Sequence, residues 1–347
     1  MVGLGEMSIQ VELRRIVEAR EVLSLEEAAA LMRAILLGDA SDMELATLLG
    51  ALAARGETPA EVAGFVVAMR EVAQSLPLTD AERETLVDTC GTGGDSSGSF
   101  NISTAAALVA AAAGATVAKH GNRAVTSTCG SADVLEALGI PIGLAPEAAA
   151  EALRAHRFCF LLAPSHHPGM KAILPVRRAI RVRSVLHVLG PLLNPAGAKR
   201  QVLGVYRARL VPLVAQAMTM LGTRHAFVVH GDGGANGGQD ELALSGPSEV
   251  AEVREGFVRM YKVSPEEFGM TRAPLAALEG GDAVANAAIL RTIFAGERGS
   301  RRDVVLLNAA AVLVAAGLVE TIVDGVALAA KAVDDGAVLR LVDALGG

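Results

Sequence analysis

The sequence is poor in aromatic residues and in cysteine. Its 347 residues include no Trp, two Tyr, eight Phe and three Cys. The cysteines Cys90, Cys129 and Cys159 form no C-x-x-C pair, and their odd number argues against a disulfide framework and against a cysteine zinc site. We therefore expect a protein of a reducing compartment, with a cytoplasmic location.

Long hydrophobic runs are also missing, although the mean hydropathy is +0.42. The longest uncharged, mostly apolar run covers residues 105–118, or 14 residues, whereas a helix needs about 20 to cross a bilayer. The N-terminus carries Glu6 and Glu12 and lacks a basic start followed by an apolar stretch, so we expect no secretory signal. These features predict a soluble protein without a membrane partner.

Positive charge is in deficit, since 31 Lys and Arg stand against 38 Asp and Glu and give a formal net charge of −7. Lysine in particular is rare, with 5 residues against 26 arginines. An acidic chain makes poor contact with a phosphate backbone, so we predict no nucleic-acid partner. The length fits roughly two domains, and the 52% hydrophobic content supplies a sizeable core.

The first 75 residues carry repeated signals for helix starts and ends. Residues 24–27, 41–44 and 58–61 each match the capping box, in which a Ser or Thr and a Glu three positions later satisfy each other's backbone donors. Gly38 and Gly56 are placed to end the preceding helices. Three short helices without strands predict a small helical domain, which either caps the core or forms an oligomer surface.

After Pro77 the pattern changes to an alternation of strands and helices. The strand candidates are 85–88, 115–118, 158–162, 202–206 and 225–230, and the helix candidates are 103–113, 131–138, 211–221 and 302–316. Such alternation predicts an α/β domain with a central, largely parallel sheet. Residues 168–196 contain four prolines and a basic stretch and interrupt the alternation.

The first motif that carries chemistry is G-T-G-G-D at residues 91–95, which we call the glycine loop. It follows a strand and precedes a helix that starts at Asn101–Thr104, so its backbone N–H groups and the helix N-terminus can approach an anion closely. No Gly-Lys-Ser/Thr follows, and Ser96 replaces a glycine that the dinucleotide fingerprint requires. A glycine turn with a Ser cap is the structural alternative; Asp95 and the N-I-S-T cluster favour phosphate binding.

Two further motifs follow the predicted strands. Residues 119–123, K-H-G-N-R, lie at a strand end, where open α/β sheets bind ligands, and Lys119 offers a compact charge for pyrophosphate; a solvated loop is the alternative. Asp240 and Glu241 follow the glycine-rich stretch 231–238. Adjacent carboxylates near bound phosphates suit magnesium, although acidic pairs in loops are usually solvated.

The fourth motif contains His166 and His167, followed by Arg177 and by G-P-L-L-N-P at 190–195. Adjacent histidines point in different directions and have no spaced partners here, so we do not expect zinc. The planar guanidinium of Arg177 is suited to clamp a carboxylate.

These motifs in this order resemble the anthranilate phosphoribosyltransferase family. The resemblance rests on GTGGD…NIST, KHGNRA…GSADVLEALG, HHPGMK…PVR, GPLLNP, the D-E-L sequence and RRDVVLLNAA, and it extends from about residue 24 to the C-terminus. It implies the nucleoside phosphorylase/phosphoribosyltransferase fold, with a small helical domain (1–80 plus 170–196) and a larger α/β domain (81–169 plus 197–347). The implied reaction transfers 5-phosphoribose from phosphoribosyl pyrophosphate (PRPP) to the amino group of anthranilate, releasing pyrophosphate, in tryptophan biosynthesis.

The resemblance also implies roles for individual residues. PRPP would be held by Gly91, Gly93, Gly94, Asp95, Asn101, Ser103, Thr104 and Lys119. Anthranilate would be bound by Gly91, His120, Asn122, His167, Arg177 and Gly190. Two magnesium ions per subunit would be bound, one by Ser103 and the second by Asp240 and Glu241. The catalytic residues would be Lys119, Arg177, Asp240 and Glu241, and the helical domain would form a homodimer and part of the acceptor site.

The sequence departs from the family pattern near residues 181–187. Arg181 stands where Gly is common, R-S-V-L-H at 183–187 stands where the family has R-T-x-F-N, and Thr128 replaces a usual Lys or Arg.

Two other functions remain as alternatives on the same fold. A pyrimidine nucleoside phosphorylase-like enzyme would carry a different phosphate loop from that at 90–94, and a non-catalytic nucleic-acid-binding relative would need a basic groove.

Overall fold

The computed structural model describes residues 8–124, 128–233 and 237–347. Residues 234–236 of the glycine-rich stretch before Asp240 lie outside these ranges. Among the described residues, no helix combines the length and the apolar character that a membrane crossing requires.

The chain begins with a bundle of helices. They are α1 (Ile9–Val17), α2 (Leu25–Leu37), α3 (Asp42–Arg55) and α4 (Pro59–Glu71). The three predicted capping boxes are confirmed, with Ser24, Ser41 and Thr58 each accepting from the backbone of a Glu that returns the bond. Gly38 ends α2 with φ +90°, a conformation that favours glycine. The prediction of three helices missed α1.

The segment 168–196 returns to this bundle. It forms α10 (Met170–Ile180), α11 (Val185–Leu189) and a short 3-10 turn (Gly190–Leu192). Ile173 and Leu186 are buried in the same apolar cluster as Leu49 and Phe65 of the N-terminal helices. The interruption of the β/α alternation is therefore a second helical contribution to the bundle.

The remaining chain forms an α/β unit around one sheet. The strands are β1 (Leu86–Gly91), β2 (Thr116–Gly121), β3 (Phe158–Leu162), β4 (Arg200–Gly204), β5 (His225–Asp232), β6 (Gly238–Gln239), β7 (Ser248–Arg254) and β8 (Phe257–Val263). Their order is β3-β2-β1-β4-β5-β7-β8, with β6 paired to β5. Strands β1 to β5 pair in parallel and β5 to β8 pair antiparallel. The predicted mostly parallel sheet is confirmed.

The helices around the sheet complete the unit. They are α5 (Asp80–Thr85), α6 (Ile102–Ala112), α7 (Ser131–Ala137), α8 (Pro146–His156), α9 (Ala163–His166), α12 (Leu210–Met220), α13 (Ala283–Phe294), α14 (Ser300–Ala316), α15 (Ile322–Asp334) and α16 (Ala337–Gly346). One face of the sheet packs on α6 and α14. The other face shares a continuous apolar cluster with α12 and the helical bundle, which brings α10 and α11 near the strand ends.

Several predicted strand boundaries were wrong, and one hairpin was missed. Thr85 ends helix α5, which starts from a capping box at Thr79, so β1 begins one residue later than predicted. β2 continues through Gly121, because it stays paired to β3, and Lys119 and His120 therefore lie inside the strand. The β7–β8 hairpin was missed, although its turn at Glu255 and Gly256, with φ +50° and +86°, has the two positive φ angles typical of tight hairpins.

Candidate active site

The glycine loop and the acidic pair meet at the carboxyl end of β1. A Cβ atom on Gly91 would lie 2.1 Å from Oδ2 of Asp240, and one on Gly204 would lie 1.5 Å from the Asp240 carbonyl oxygen. Gly93, with φ +66°, adopts the left-handed backbone that glycine tolerates best. Glycine is therefore required at Gly91 and Gly204 if Asp240 is to approach the loop this closely.

Hydrogen bonds fix the carboxylates around the loop. Oδ2 of Asp240 accepts from the backbone N–H of Gly93 at 2.7 Å, and the N–H of Asp240 donates to Oδ2 of Asp95 at 3.3 Å. Oε1 of Glu241 accepts from the N–H of Ser103 in the first turn of α6 at 3.0 Å. These bonds join the first motif to the acidic pair, which were separate predictions from the sequence.

The carboxyl groups of Asp95, Asp240 and Glu241 lie near one another at the glycine loop, and their negative charge is poorly balanced. Burial, reinforced by the charge of Asp95, raises the pKa of Asp240 to about 7. Burial and the neighbouring Asp240 also raise the pKa of Glu241 well above its ordinary value. Buried carboxylates whose negative charge is not balanced by neighbouring positive groups are suited to bind a divalent cation such as Mg²⁺.

The carboxylates do not make a complete metal cage by themselves. Within ranges 8–124, 128–233 and 237–347, no three His, Cys, Asp or Glu side chains converge as a set able to hold an ion. Mg²⁺ usually takes one or two carboxylates together with water and substrate phosphate. Asp240, Glu241 and the hydroxyl of Ser103 fit that incomplete kind of site.

Lys119 lies beneath the loop and is fully buried. Its Nζ donates to the carbonyl oxygen of Thr89 at 2.6 Å and to Oγ of Ser103 at 3.4 Å. The ammonium group therefore supports the start of α6, and its positive charge lies close enough to lower the pKa of Glu241 against the effect of burial.

Sequence analysis missed Asp88 and Gln201, which lie under the same strand ends. Asp88 is fully buried; its Oδ1 accepts from the N–H of His120 at 3.1 Å and its Oδ2 from Nε2 of Gln201 at 3.3 Å. Burial raises the pKa of Asp88 to about 6, while the charge of Lys119 acts in the opposite direction. An acid inside the apolar strand L-V-D-T was the signal that could have revealed it.

The histidines of the second and fourth motifs meet across β2 and α9. The ring centroids of His120 and His167 are 5.2 Å apart in an edge-to-face arrangement. Burial lowers the pKa of His167 to about 4 and that of His120 well below its ordinary value. Nε2 of each ring is buried without a hydrogen-bond partner in the described part of the chain. His166 instead turns to the carbonyl oxygen of Gln74 at 2.9 Å.

Arg177 is half-buried on α10, and burial lowers its pKa. Within the described ranges it has no carboxylate partner. Burial lowers the pKa of His187, one of the residues that depart from the family pattern, and the charge of Arg177 acts in the same direction. A guanidinium without a counter-charge in a partly desolvated place is suited to an anionic ligand.

The remaining predicted residues differ in how they are used. The side chain of Asn101 donates to the carbonyl oxygen of Cys129 at 3.2 Å and accepts from Asn286 at 2.9 Å. Oγ1 of Thr104 is buried without a partner among the described residues, as are both amide atoms of Gln239, which sequence reasoning missed. Asn122 is exposed, and its Oδ1 accepts from the N–H of Arg123 at 2.8 Å.

Comparison with known proteins agrees with this architecture. Residues 83–339 match the family model described as "Glycosyl transferase family, a/b domain", and residues 12–73 match its helical bundle domain. The fold is thus that of a glycosyl transferase of this class.

Individual relatives narrow the class. The chain is 51% identical to anthranilate phosphoribosyltransferase of Chloroflexus aggregans, over 93% of this chain and 94% of that one, and 46% identical to that of Methanocorpusculum labreanum, over 93% of each. The crystal structure of the Thermus thermophilus enzyme superposes with a TM-score of 0.89 at 44% identity, covering 96% of this chain and 98% of that one. The Saccharomyces cerevisiae enzyme in complex with PRPP and Mg gives 0.85 at 25% identity, covering 98% and 97%. The chain belongs to the anthranilate phosphoribosyltransferase family.

Proposed function

We propose that the site described above transfers the 5-phosphoribosyl group of PRPP to the amino group of anthranilate, giving N-(5-phosphoribosyl)anthranilate and pyrophosphate in tryptophan biosynthesis. One observation carries the assignment. Asp240 is hydrogen-bonded to the glycine loop, and Glu241 is hydrogen-bonded to the start of α6. Strand β2, which contains His120, pairs with β1 and ends at the same edge of the sheet. This edge combines a place for phosphates and a cation with two neutral imidazoles whose Nε2 atoms have no hydrogen-bond partner among the described residues.

PRPP occupies the side of the glycine loop and the α6 N-terminus in this proposal. The residues that hold it are Gly91, Gly93, Gly94, Asp95, Asn101, Ser103, Thr104 and Lys119. Unpaired Oγ1 of Thr104 supports this placement, because a buried hydroxyl without a partner costs free energy until a ligand satisfies it. The N-terminus of α6 adds aligned backbone donors.

Two magnesium ions per subunit belong to the proposal, one bound by Ser103 and one by Asp240 and Glu241. Magnesium bound by these residues would offset the negative charge that develops on the leaving pyrophosphate. The raised pKa values of Asp240 and Glu241 support this assignment, because a nearby cation would restore their charged forms.

Anthranilate lies against Gly91, His120, Asn122, His167, Arg177 and Gly190. The fork of Arg177 takes its carboxylate, which places the amino group over C1 of the ribose. The bond from C1 to the pyrophosphate oxygen breaks as the bond from C1 to nitrogen forms, the electron pair of the broken bond leaves on pyrophosphate, and the amine gives up one proton to water. The lowered pKa values keep His120 and His167 neutral, so neither repels the cationic character that develops at C1.

The domain division assigns 1–80 plus 170–196 to a helical domain and 81–169 plus 197–347 to the α/β domain. The packing of α10 and α11 on the N-terminal helices supports this division.

We further propose a cytoplasmic homodimer formed through the helical domain. Val11, Leu37 and Met43, on α1 to α3, are 53%, 81% and 79% exposed, an apolar surface that a second copy would cover.

The test of the reaction follows anthranilate fluorescence after PRPP is added, with and without magnesium. We expect a magnesium-dependent loss of the signal, against a low protein background because the chain has no Trp. No loss of fluorescence while PRPP still binds would contradict anthranilate as the acceptor.

Light scattering tests the dimer. The parent protein should give twice the chain mass, and L37E/M43E should give the monomer mass; a monomeric parent protein would reject the proposal.

A further inference from the structure

A second concave site lies next to the glycine loop. It is a cleft of about 380 Å³ between the end of α3, the segment before α11 and the segment that joins β4 to α12. We call it the arginine cleft and define it by Glu57, Arg183, Ser184, Tyr206, Arg207 and Arg209. Its volume falls within the range of small-molecule pockets.

The charge in the cleft is unbalanced. Arg183, Arg207 and Arg209 face one carboxylate, Glu57, which leaves an excess of two positive charges. None of the three guanidinium groups forms an ion pair with any residue that the structure describes. Arg183 and Arg207 lie over the ring of Tyr206, with 4.8 and 5.7 Å between guanidinium carbon and ring centroid. Tyr206 thus holds two guanidinium groups near each other without neutralising them.

A buried hydroxyl in the cleft also has no partner. Ser184 is 3% exposed, and its Oγ makes no hydrogen bond to the described residues. A buried polar atom left in this way usually indicates a ligand or water that completes it. The hydroxyl can both donate and accept, so it is compatible with an oxyanion between the arginines.

The cleft is connected to the glycine loop but does not include its anion-binding N–H groups. The guanidinium of Arg183 donates to the carbonyl oxygen of Gly94. The N–H of Tyr206 donates to Oγ1 of Thr92 at 3.1 Å. The walls of the cleft therefore contact the loop through a carbonyl group and a side chain.

We propose that the arginine cleft is a second anion-binding site, which takes a small molecule bearing phosphate or carboxylate groups. Guanidinium forks bind both kinds of oxyanion through paired, charge-assisted hydrogen bonds. Because the cleft contacts Thr92 and Gly94, its occupancy acts on the loop that faces PRPP. Its test measures binding alone, so failure here leaves the transferase assignment intact.

The test uses Tyr206 as its own reporter. The chain has no Trp and two Tyr, Tyr206 and Tyr261, so Y261F leaves one fluorophore, in the wall of the cleft. We would titrate this protein with inorganic pyrophosphate, and separately with citrate, without magnesium. We expect a saturable change in Tyr206 emission, and R207Q/R209Q should weaken the affinity by about tenfold or more because charge-assisted hydrogen bonds are lost. Saturation by pyrophosphate alone assigns phosphate as the ligand chemistry, and saturation by citrate alone assigns carboxylate.

The matched control is R259Q, since Arg259 also lies over a tyrosine ring, at 5.3 Å from Tyr261, but does not line the cleft. It should bind as the Y261F parent does. Thermal melting checks that each variant is folded, and the single substitution R209Q replaces the pair if the pair does not fold. The proposal is overturned if neither anion saturates at millimolar concentration, or if the folded arginine variants bind as tightly as the parent. The second result would place the anion on the glycine loop.

Discussion

The two halves of the candidate active site differ in how their polar groups are satisfied. In the carboxylate half, Asp240 and Glu241 each accept a backbone N–H, although burial raises their pKa values. In the acceptor half, among the described residues, the Nε2 atoms of His120 and His167 lack partners and Arg177 forms no ion pair with a carboxylate. The chain holds one half in place itself and leaves the other half open to a ligand.

This difference separates two kinds of substitution. Changes in the carboxylate half disturb contacts that connect distant segments, so they should affect folding, magnesium dependence or turnover. In the acceptor half, loss of the Arg177 guanidinium breaks no ion pair between described residues, so it should leave stability almost unchanged and act on substrate affinity.

The largest expected effect is that of D240N. Asn can still accept from the N–H of Gly93, but it cannot carry the charge, so we expect kcat to fall by about 10²–10³-fold and the magnesium requirement to rise. Initial rates of anthranilate fluorescence loss across magnesium concentrations measure both. E84Q is the control, because Glu84 is an exposed carboxylate paired with Lys199 and Arg224. Unchanged magnesium dependence in D240N would contradict the assignment.

G91A tests how closely the loop and Asp240 must approach. Its new Cβ would lie 2.1 Å from Oδ2 of Asp240, so we expect the free energy of unfolding to fall by about 3 kcal/mol in urea titrations. G50A is the matched control, because Gly50 lies inside α3 with open space around it. Alanine at this position should raise the free energy of unfolding by at most about 1 kcal/mol. Equal loss in both variants would show that the close approach is unimportant.

D88N tests the buried carboxyl group under the strand ends. Its pKa is raised from 3.8 to about 6, so between these values the folded state binds more protons than the unfolded state and stability decreases as pH rises. Above about pH 6 the charged form should cost roughly 3 kcal/mol, a cost that D88N removes. Urea unfolding should show that the free energy of unfolding of D88N increases relative to that of the parent protein between about pH 4 and about pH 7. Parallel pH curves would be evidence against the raised pKa.

In the acceptor half, R177A should raise the KM for anthranilate by at least about tenfold, because a charge-assisted contact with its carboxylate is lost. The KM for PRPP and the melting temperature should change little. R178A, which removes the neighbouring exposed arginine on α10, should leave both KM values as they were. An unchanged anthranilate KM in R177A would show that another residue takes the carboxylate.

The smallest effect concerns Arg181, which ends α10 with φ +49° in the left-handed region. R181G should stabilise the protein by roughly 0.5 kcal/mol, because glycine adopts this conformation without strain. Arg157 ends α8 with φ +57°, so R157G should give a similar rise in melting temperature. A loss of stability in R181G would mean that the Arg181 side chain makes a compensating contribution.

The elements that the sequence predicted best depend on local interactions. The capping boxes at Ser24, Ser41 and Thr58 involve residues three positions apart. Residue types at strand ends also indicated the carboxylate half. The contacts of Asp88 with Gln201 could not be foreseen, because they depend on β1 pairing with β4.

The hydrogen bond between Gly93 and Asp240 joins residues 147 positions apart. During synthesis, the first turn of α6 and the glycine loop leave the ribosome long before the acidic pair that will hold them. β1 also waits for β4, its partner on one side in the sheet. A nascent chain can therefore form its N-terminal helices early from local contacts, while its phosphate-binding edge stays unassembled until two-thirds of the protein has been made.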